Sequence, residues 1–515
     1  MSKFNGIVSA ASPEAAKAGA EILAEGGNAI DAAIAVSLTL GVTEPAGSGI
    51  GGQGTFIIQK PNDAPFVING TSYSPANIPN SATLADLKYR RASTVPSNLM
   101  VLDYAHRIYG SGELQWKRLL RPAIHYAKNG YKMGEFRYKS LLRHRKSLKR
   151  DSTASSILLN RDASAPEIGT KMKNTQLATT LERIADYGAD DFYLGEIASE
   201  IAKDMSDNDG WITARDLKEV RSPRILPALK GTYKGWDIAT LPPPASGWAV
   251  LMALNILEQA PSGVMSSNSS RRISWLIQAL KVIHKHRMTR PIQDLVAYED
   301  LVSQKIDKNR AERIAGVLKQ DGTGETTHFS IVDKDGMAVG VTQSLNSYFG
   351  SKIAHPSLGF FYNDYMIEFV SASRDNPFSL RPRAMPYSSM SASIVSRNSK
   401  PVLVLGSPAN ERIISSVIQV ISHWIDINKG IKEAVNAPRY HTVSEEEVMM
   451  EVKPDETVLL ALEELGFSLY SPLSSLFSGT LNPYFGGVHA VALEDGVWRG
   501  AADPRRDGAV EHVEI

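Results

Sequence analysis

Cysteine is missing from all 515 residues. Its absence excludes disulfides, thiol nucleophiles and cysteine-ligated metals. A charge excess is missing as well: 56 basic residues stand against 55 acidic ones. Overall electrostatics therefore favour neither nucleic acid nor an anionic membrane as the main partner. No stretch approaches the roughly 18 apolar residues of a membrane-spanning helix. The opening MSKFNGIVSAASPEAAKAG has no apolar segment long enough for a secretory leader. A soluble, cytoplasmic protein is the expectation. No internal repeat is evident.

What is present is a globular composition, 43% hydrophobic and 22% charged, in a chain longer than one hydrophobic core usually spans. Ser12-Pro13-Glu14 reads as an N-cap with proline in the first helical position, opening a helix that stops at Gly26-Gly27. Asn28 to Leu40 is apolar nearly all round and reads as a buried helix. A glycine-rich run, Gly47 to Gly54, leads into a strand near Thr55–Gln59. Residues 100 to 320 read as mostly helical, interrupted by a loop at Pro242 to Gly247. From Thr326 onward strand patterns fall at 327–332, 337–345, 391–396, 401–405 and 487–493, with helical patterns at 409–428, 430–436 and 455–465. This order predicts an α+β layered domain with sheets between helices.

The two runs on either side of Asp333-Lys334-Asp335-Gly336 read as a β-hairpin. With Asp335-Gly336 at its centre, Thr326 faces position 345; a turn centred one residue earlier sets it against 343. Either way Thr342, Ser344 and Asn346 gather near Thr326. A threonine hydroxyl is a poor nucleophile without an adjacent base. An N-terminal threonine carries one in its own α-amine, whose pKa is roughly 7.7–8.0. An internal threonine reaches that state only if the chain is cut before it, here between Glu325 and Thr326. Gly322 and Gly324 supply the backbone freedom such a cut needs. The plainer reading of Thr326-Thr327 is a β-favouring pair that opens the hairpin.

The chain resembles the gamma-glutamyltransferase family of N-terminal-nucleophile hydrolases over nearly its whole length. The matching stretches include Gly26 to Ala33, Glu44-Pro45 with Ser48 to Gly52, Pro242 to Gly247, Thr326 to Ser330, Ser388 to Ser391, Ala437-Pro438-Arg439, Phe485-Gly486-Gly487 and Ala502 to Arg506. The resemblance implies a four-layer αββα sandwich and self-cleavage into a large fragment, 1–325, and an associated small fragment, 326–515. It implies Thr326 as catalytic nucleophile and Ser344, which falls where the family usually has a threonine, as its hydroxyl support; Thr342 joins that support from the hairpin geometry alone. Asn346 matches a glutamyl-contacting asparagine, and Ser388 and Ser389 match the serine pair of the acyl pocket. No cofactor or metal is implied. The partner is a small amide or gamma-glutamyl substrate, and a homodimer is compatible with this reading.

The pattern departs from the family at the amino-acid clamp. The arginine that holds the glutamyl α-carboxylate falls at Thr71, and a hydroxyl does not replace its bidentate fork. The residues that meet the α-amine fall at Tyr365 and Glu368, and the oxyanion-hole glycine pair at Ala409-Asn410. Three readings follow: a self-processing amide hydrolase or acyltransferase with altered specificity, a conventional gamma-glutamyl hydrolase or transpeptidase whose clamp comes from Arg90, Arg91, Arg381 or Arg383, and an unprocessed relative with a binding or structural role. Gly47 to Gly54 lacks the ending of a phosphate loop and reads as a close-packed loop near the active site. His284 and His286 sit on a basic helical stretch without nearby carboxylates. His328 reads as structural, and Asp503 to Arg506 as a loop packed on the core.

Overall fold

A computed structural model describes residues 4–220, 222–267, 269–288, 302, 303, 305, 306, 325–369, 378–442, 447–471 and 481–514. In chain order its strands are β1 (Phe4–Ala10), β2 (Gln53–Gln59), β3 (Phe66–Gly70), β4 (Tyr131–Lys132), β5 (Lys171–Met172), β6 (Arg224–Pro227), β7 (Leu229–Tyr233), β8 (Trp236–Thr240), β9 (Glu325–Asp333), β10 (Ala338–Asn346), β11 (Ser393–Arg397), β12 (Lys400–Gly406), β13 (Tyr440–Thr442), β14 (Glu447–Met450), β15 (Ser468–Tyr470), β16 (His489–Glu494), β17 (Val497–Ala502) and β18 (Ala509–Glu514). Seven form one sheet in the order β18-β1-β9-β10-β2-β3-β6, and six form a second in the order β17-β16-β12-β11-β8-β7.

Strand alternation builds the layers. Ile7, Ile57, Val332, Ile394, Val404 and Val491 meet in a core between the two sheets. Their chain neighbours Val8, Phe56, Ile58 and Ile331 turn the other way, onto the helices Pro13–Ala24, Ala29–Thr43 and Trp116–Asn129. Val395, Leu403, Leu405, Ala490 and Ala492 turn outward from the second sheet onto Gly247–Glu258, Ser270–Met288 and Arg412–Asp426. The result is the expected αββα sandwich. Ser12 accepts from Ala15 N–H at the first helix's N-terminus, and nearly every residue of Ala29–Thr43 is buried.

Five strands lie inside the stretch read as mostly helical: the two-residue strands β4 and β5, and β6, β7 and β8. The hairpin register also differs from both expected alternatives. Thr342 pairs with His328 and Gln343 with Thr327, and the pairing then jumps to Asn346 with Glu325. Thr326 therefore stands opposite a bulge, Ser344-Leu345. An extra residue there re-aims the side chains around it, and Asn346 leaves the bulge at φ 81°.

Candidate active site

The bulge sets the Ser344 hydroxyl between the Glu325 carbonyl and the Thr326 side chain. Ser344 Oγ donates to the Glu325 carbonyl oxygen at 2.8 Å and accepts from Asn346 N–H at 2.7 Å. Thr326 Oγ1 donates to Ser344 Oγ, 3.4 Å away. Both residues are buried. The Tyr365 phenol bonds to the Ser344 and Gln53 side chains, and burial raises its pKa.

Thr326 opens into a cleft of about 240 Å³ lined by Glu325, Asn346, Tyr365, Glu368, Ser388, Ser389 and Asn410, among others. Eight residues placed here from sequence thus share one cavity wall: Thr326, Glu325, Asn346, Tyr365, Glu368, Ser388, Ser389 and Asn410. Burial pushes the Glu368 carboxyl up to about 7, against the pull of a hydrogen bond from Asn346. Ser388 Oγ accepts from Met390 N–H, and Ser389 Oγ donates to Asn410 Oδ1 at 2.7 Å. Ala409 and Asn410 take φ values of 90° and 47°, the left-handed region that favours glycine. They precede the helix Arg412–Asp426, and among the described residues no acceptor takes either N–H. Free backbone N–H groups at a helix start favour a negative charge.

Sequence reading missed Arg287 at the far side of this wall. Its Nε donates to Tyr387 Oη at 2.6 Å, Nη2 donates to Ser389 Oγ at 2.9 Å, and Nη1 lies 3.4 Å from Glu411. His284, on the same helix, lies 3.9 Å from Glu411. The basic stretch therefore does have a carboxylate beside it, brought from well over a hundred residues away by packing between helices, which no local pattern announces.

Behind the Glu325–Thr326 bond lies a second group of charges. Arg506 Nη2 donates to Glu325 Oε1 at 2.7 Å, and both side chains are 1% exposed. Thr327 Oγ1 donates to Glu44 Oε2 at 2.7 Å. Burial pushes the Glu44 carboxyl up to about 7, with nearby Arg506 opposing. The glycine-rich loop packs directly on the next peptide: a Cβ at Gly47 would stand 2.2 Å from Thr327 Oγ1 and 3.2 Å from the Thr326 carbonyl oxygen.

A model of the family described as gamma-glutamyltranspeptidase matches residues 15–513. The chain belongs to the gamma-glutamyltranspeptidase family. The glutathione hydrolase proenzyme of Escherichia coli (strain K12) is 31% identical over 537 aligned residues, covering 97% of this chain and 90% of that protein. The cephalosporin acylase from Bacillus halodurans superposes with a TM-score of 0.86 at 25% identity, covering 99% of this chain and 96% of that one. Helicobacter pylori gamma-glutamyltranspeptidase superposes with a TM-score of 0.53 at 27% identity, over 60% of this chain and 90% of its own.

Against this gamma-glutamyltranspeptidase background, several expected residues lie elsewhere. Thr342 does not touch Thr326: its Oγ1 bonds to His328 Nδ1 at 2.9 Å, because the strand register sets the two opposite each other. His328 bonds Ser330 through its other nitrogen and is buried between the sheets. Thr71 bonds Asn69 and lines a separate cavity of about 610 Å³ with Arg383, Asp216 and Glu219. Arg90 forms a two-pronged pair with Asp204, Arg91 pairs with Asp209, and Arg383 pairs with Glu219. None of these arginines, nor Arg381, lines the Thr326 cleft. Asp503 to Arg506 does pack on the core, but through Arg506 it also reaches the junction. Gly322 and Gly324 lie outside the described residues.

Proposed function

We propose that this gamma-glutamyltransferase-like amidohydrolase matures by cutting itself between Glu325 and Thr326, and that the freed Thr326 is its nucleophile. The observation that carries the reading is the Ser344 hydroxyl, bonded to the carbonyl to be attacked and adjacent to the attacking oxygen. In the first step Thr326 Oγ1 attacks the Glu325 carbonyl carbon. The C–N bond breaks, the hydroxyl proton passes to the departing nitrogen, and an ester to Oγ1 remains. Water then hydrolyses the ester, leaving a carboxylate on Glu325 and a free hydroxyl and α-amine on Thr326. The Ser344 O–H stabilises the negative charge that grows on the Glu325 oxygen.

In turnover the Thr326 α-amine takes the hydroxyl proton as Oγ1 attacks the substrate amide. The developing oxyanion is directed toward the N–H groups of Ala409 and Asn410 at the helix start. The leaving amine receives the proton, and water or a second amine resolves the acyl-enzyme. Ser388 and Ser389 offer hydroxyls to the acyl group. An acyl group without a free α-carboxylate is favoured, because Thr71 supplies no cation and the four alternative arginines lie outside the cleft. A second reading, conventional gamma-glutamyl transfer, is supported by Glu368, whose carboxylate and Asn346 partner could accept a substrate α-amine.

A denaturing gel tests the maturation. The parent chain of 56.1 kDa is expected to resolve into fragments 1–325 and 326–515, while Thr326→Ala stays intact. An intact parent chain overturns both enzymatic readings. For the cut protein, gamma-glutamyl-p-nitroanilide and simple acyl-p-nitroanilides separate them. Turnover confined to the simple amides supports altered specificity; release from the gamma-glutamyl compound supports the conventional activity.

A further inference from the structure

Arg506, Tyr348 and Glu44 grip the chain on both sides of the Glu325–Thr326 bond, and none of the three lines the substrate cleft. Arg506 holds the Glu325 side chain, and the Tyr348 phenol bonds to the same carboxylate. Glu44 holds the Thr327 hydroxyl two residues further on. Arg506 itself is walled in. Its guanidinium lies 4.1 Å from the centre of the Phe136 ring, and a Cβ at Gly487 would stand 2.6 Å from its Cγ. A buried ion pair contributes little net stability, since desolvation offsets attraction; what it fixes is geometry. Here the geometry fixed is that of a residue whose carbonyl accepts from Ser344.

From this arrangement, and resting on the self-cleavage reading above, we infer that Arg506 and Glu325, with Tyr348 and Glu44, form a positioning clamp for maturation that turnover does not use. The step served is the one already written: Oγ1 of Thr326 bonds to the Glu325 carbonyl carbon as the C–N bond breaks. The clamp holds the Glu325 carbonyl on Ser344 Oγ from one side and the Thr326–Thr327 peptide from the other. Reaction in such a site is sensitive to misplacement on the ångström scale. Once the bond is cut and the ester hydrolysed, Glu325 is the end of the large fragment and no longer governs where Thr326 points. Arg506 is therefore a positioning residue for one chemical event in the life of each molecule.

Glu325→Asp and Arg506→Lys keep both charges but shorten or blunt the grip. The test follows the appearance of the two fragments on denaturing gels in freshly synthesised parent, E325D and R506K chains. Hydrolysis per cut molecule is then measured, with whichever of gamma-glutamyl-p-nitroanilide and phenylacetyl-p-nitroanilide the parent turns over. The expected result is cutting slowed at least tenfold in both variants, with kcat/KM per cut molecule within twofold of the parent in R506K, whose residue lies outside the cleft. Cutting at the parental rate in E325D, the milder variant, overturns the clamp while leaving self-cleavage intact. A parallel fall in kcat/KM in R506K overturns its restriction to maturation. A parent chain that never cuts overturns clamp and self-cleavage together.

Discussion

At the scale of single residues, Glu44 gives the sharpest pH signature. Its carboxyl titrates near 7 in the folded chain because burial disfavours the charged form, against about 4.3 for an exposed glutamate. The folded chain therefore holds that proton more tightly than the unfolded chain does. The stabilisation is complete below the unfolded value and is lost as pH rises through about 7. Glu44→Gln removes the titration while keeping an acceptor for Thr327. In the uncut Thr326→Ala background, the stability advantage of the chain that keeps Glu44 over its Glu44→Gln variant is expected to fall by roughly 2–3 kcal/mol between about pH 5 and 8. Urea unfolding at several pH values measures it, and Glu368, which titrates in both chains, cancels in the difference. A gap that is flat with pH removes the protonated Glu44 from behind the junction. Glu44 was visible in the sequence only as part of a matching stretch. Its burial against Thr327 and Arg506 joins three distant segments, and nothing local encodes that. Thr326, Ser344 and Asn346 were legible because one hairpin carries them, and hairpin pairing is a local rule.

At the scale of elements, the glycine-rich loop Gly47 to Gly54 and the β9–β10 hairpin fit backbone to backbone. Leu345 N–H donates to the Gly47 carbonyl and Phe349 N–H to the Ala46 carbonyl, so the loop edges the bulge that aims Ser344. Gly47→Ala places a methyl carbon where Thr327 Oγ1 now lies. Overpacking of this kind costs about 1–3 kcal/mol, and here relief requires moving the Thr326–Thr327 peptide. The expected outcome is a lower Tm in the Thr326→Ala background together with slower cutting in the Thr326 chain. A variant with parental Tm and parental cutting shows that the loop does not brace the junction. The elements themselves differed in how plainly the sequence displayed them. Strands β9 to β12 and β16 alternate apolar residues toward two cores, and each lies within a few residues of its predicted span. Strands β6 and β7 sit at the outer edges of their sheets and are mostly exposed or partly exposed. An edge strand tolerates charge in place of apolar alternation, so Arg224 to Tyr233 carried no strand period to read. The bulge at Ser344-Leu345 was illegible for another reason: the turn fixes a register, but tertiary contacts decide where it slips.

At the scale of the whole molecule, the order of strands bears on what self-cleavage can do to the fold. β9 and β10 belong to the 326–515 side of the cut, except for Glu325 itself, yet they lie in the middle of the seven-stranded sheet. Their neighbours β1 and β2 come from the 1–325 side. The six-stranded sheet repeats the arrangement: β8 pairs with β11 across the same divide. Each fragment alone would expose unpaired central strands and the inter-sheet core of Ile57, Val332, Ile394 and Val404. Losing backbone pairing and apolar burial together is far costlier than any gain in freedom from one broken peptide bond. Cut protein is therefore expected to elute from gel filtration with both fragments in a constant ratio, at the same volume as uncut Thr326→Ala. In urea the two fragments should separate only as the secondary structure is lost, followed by circular dichroism on the same samples. Separate elution in native buffer, or one fragment leaving while the helices and sheets of the other persist, shows that the interleaved sheets do not bind the halves together.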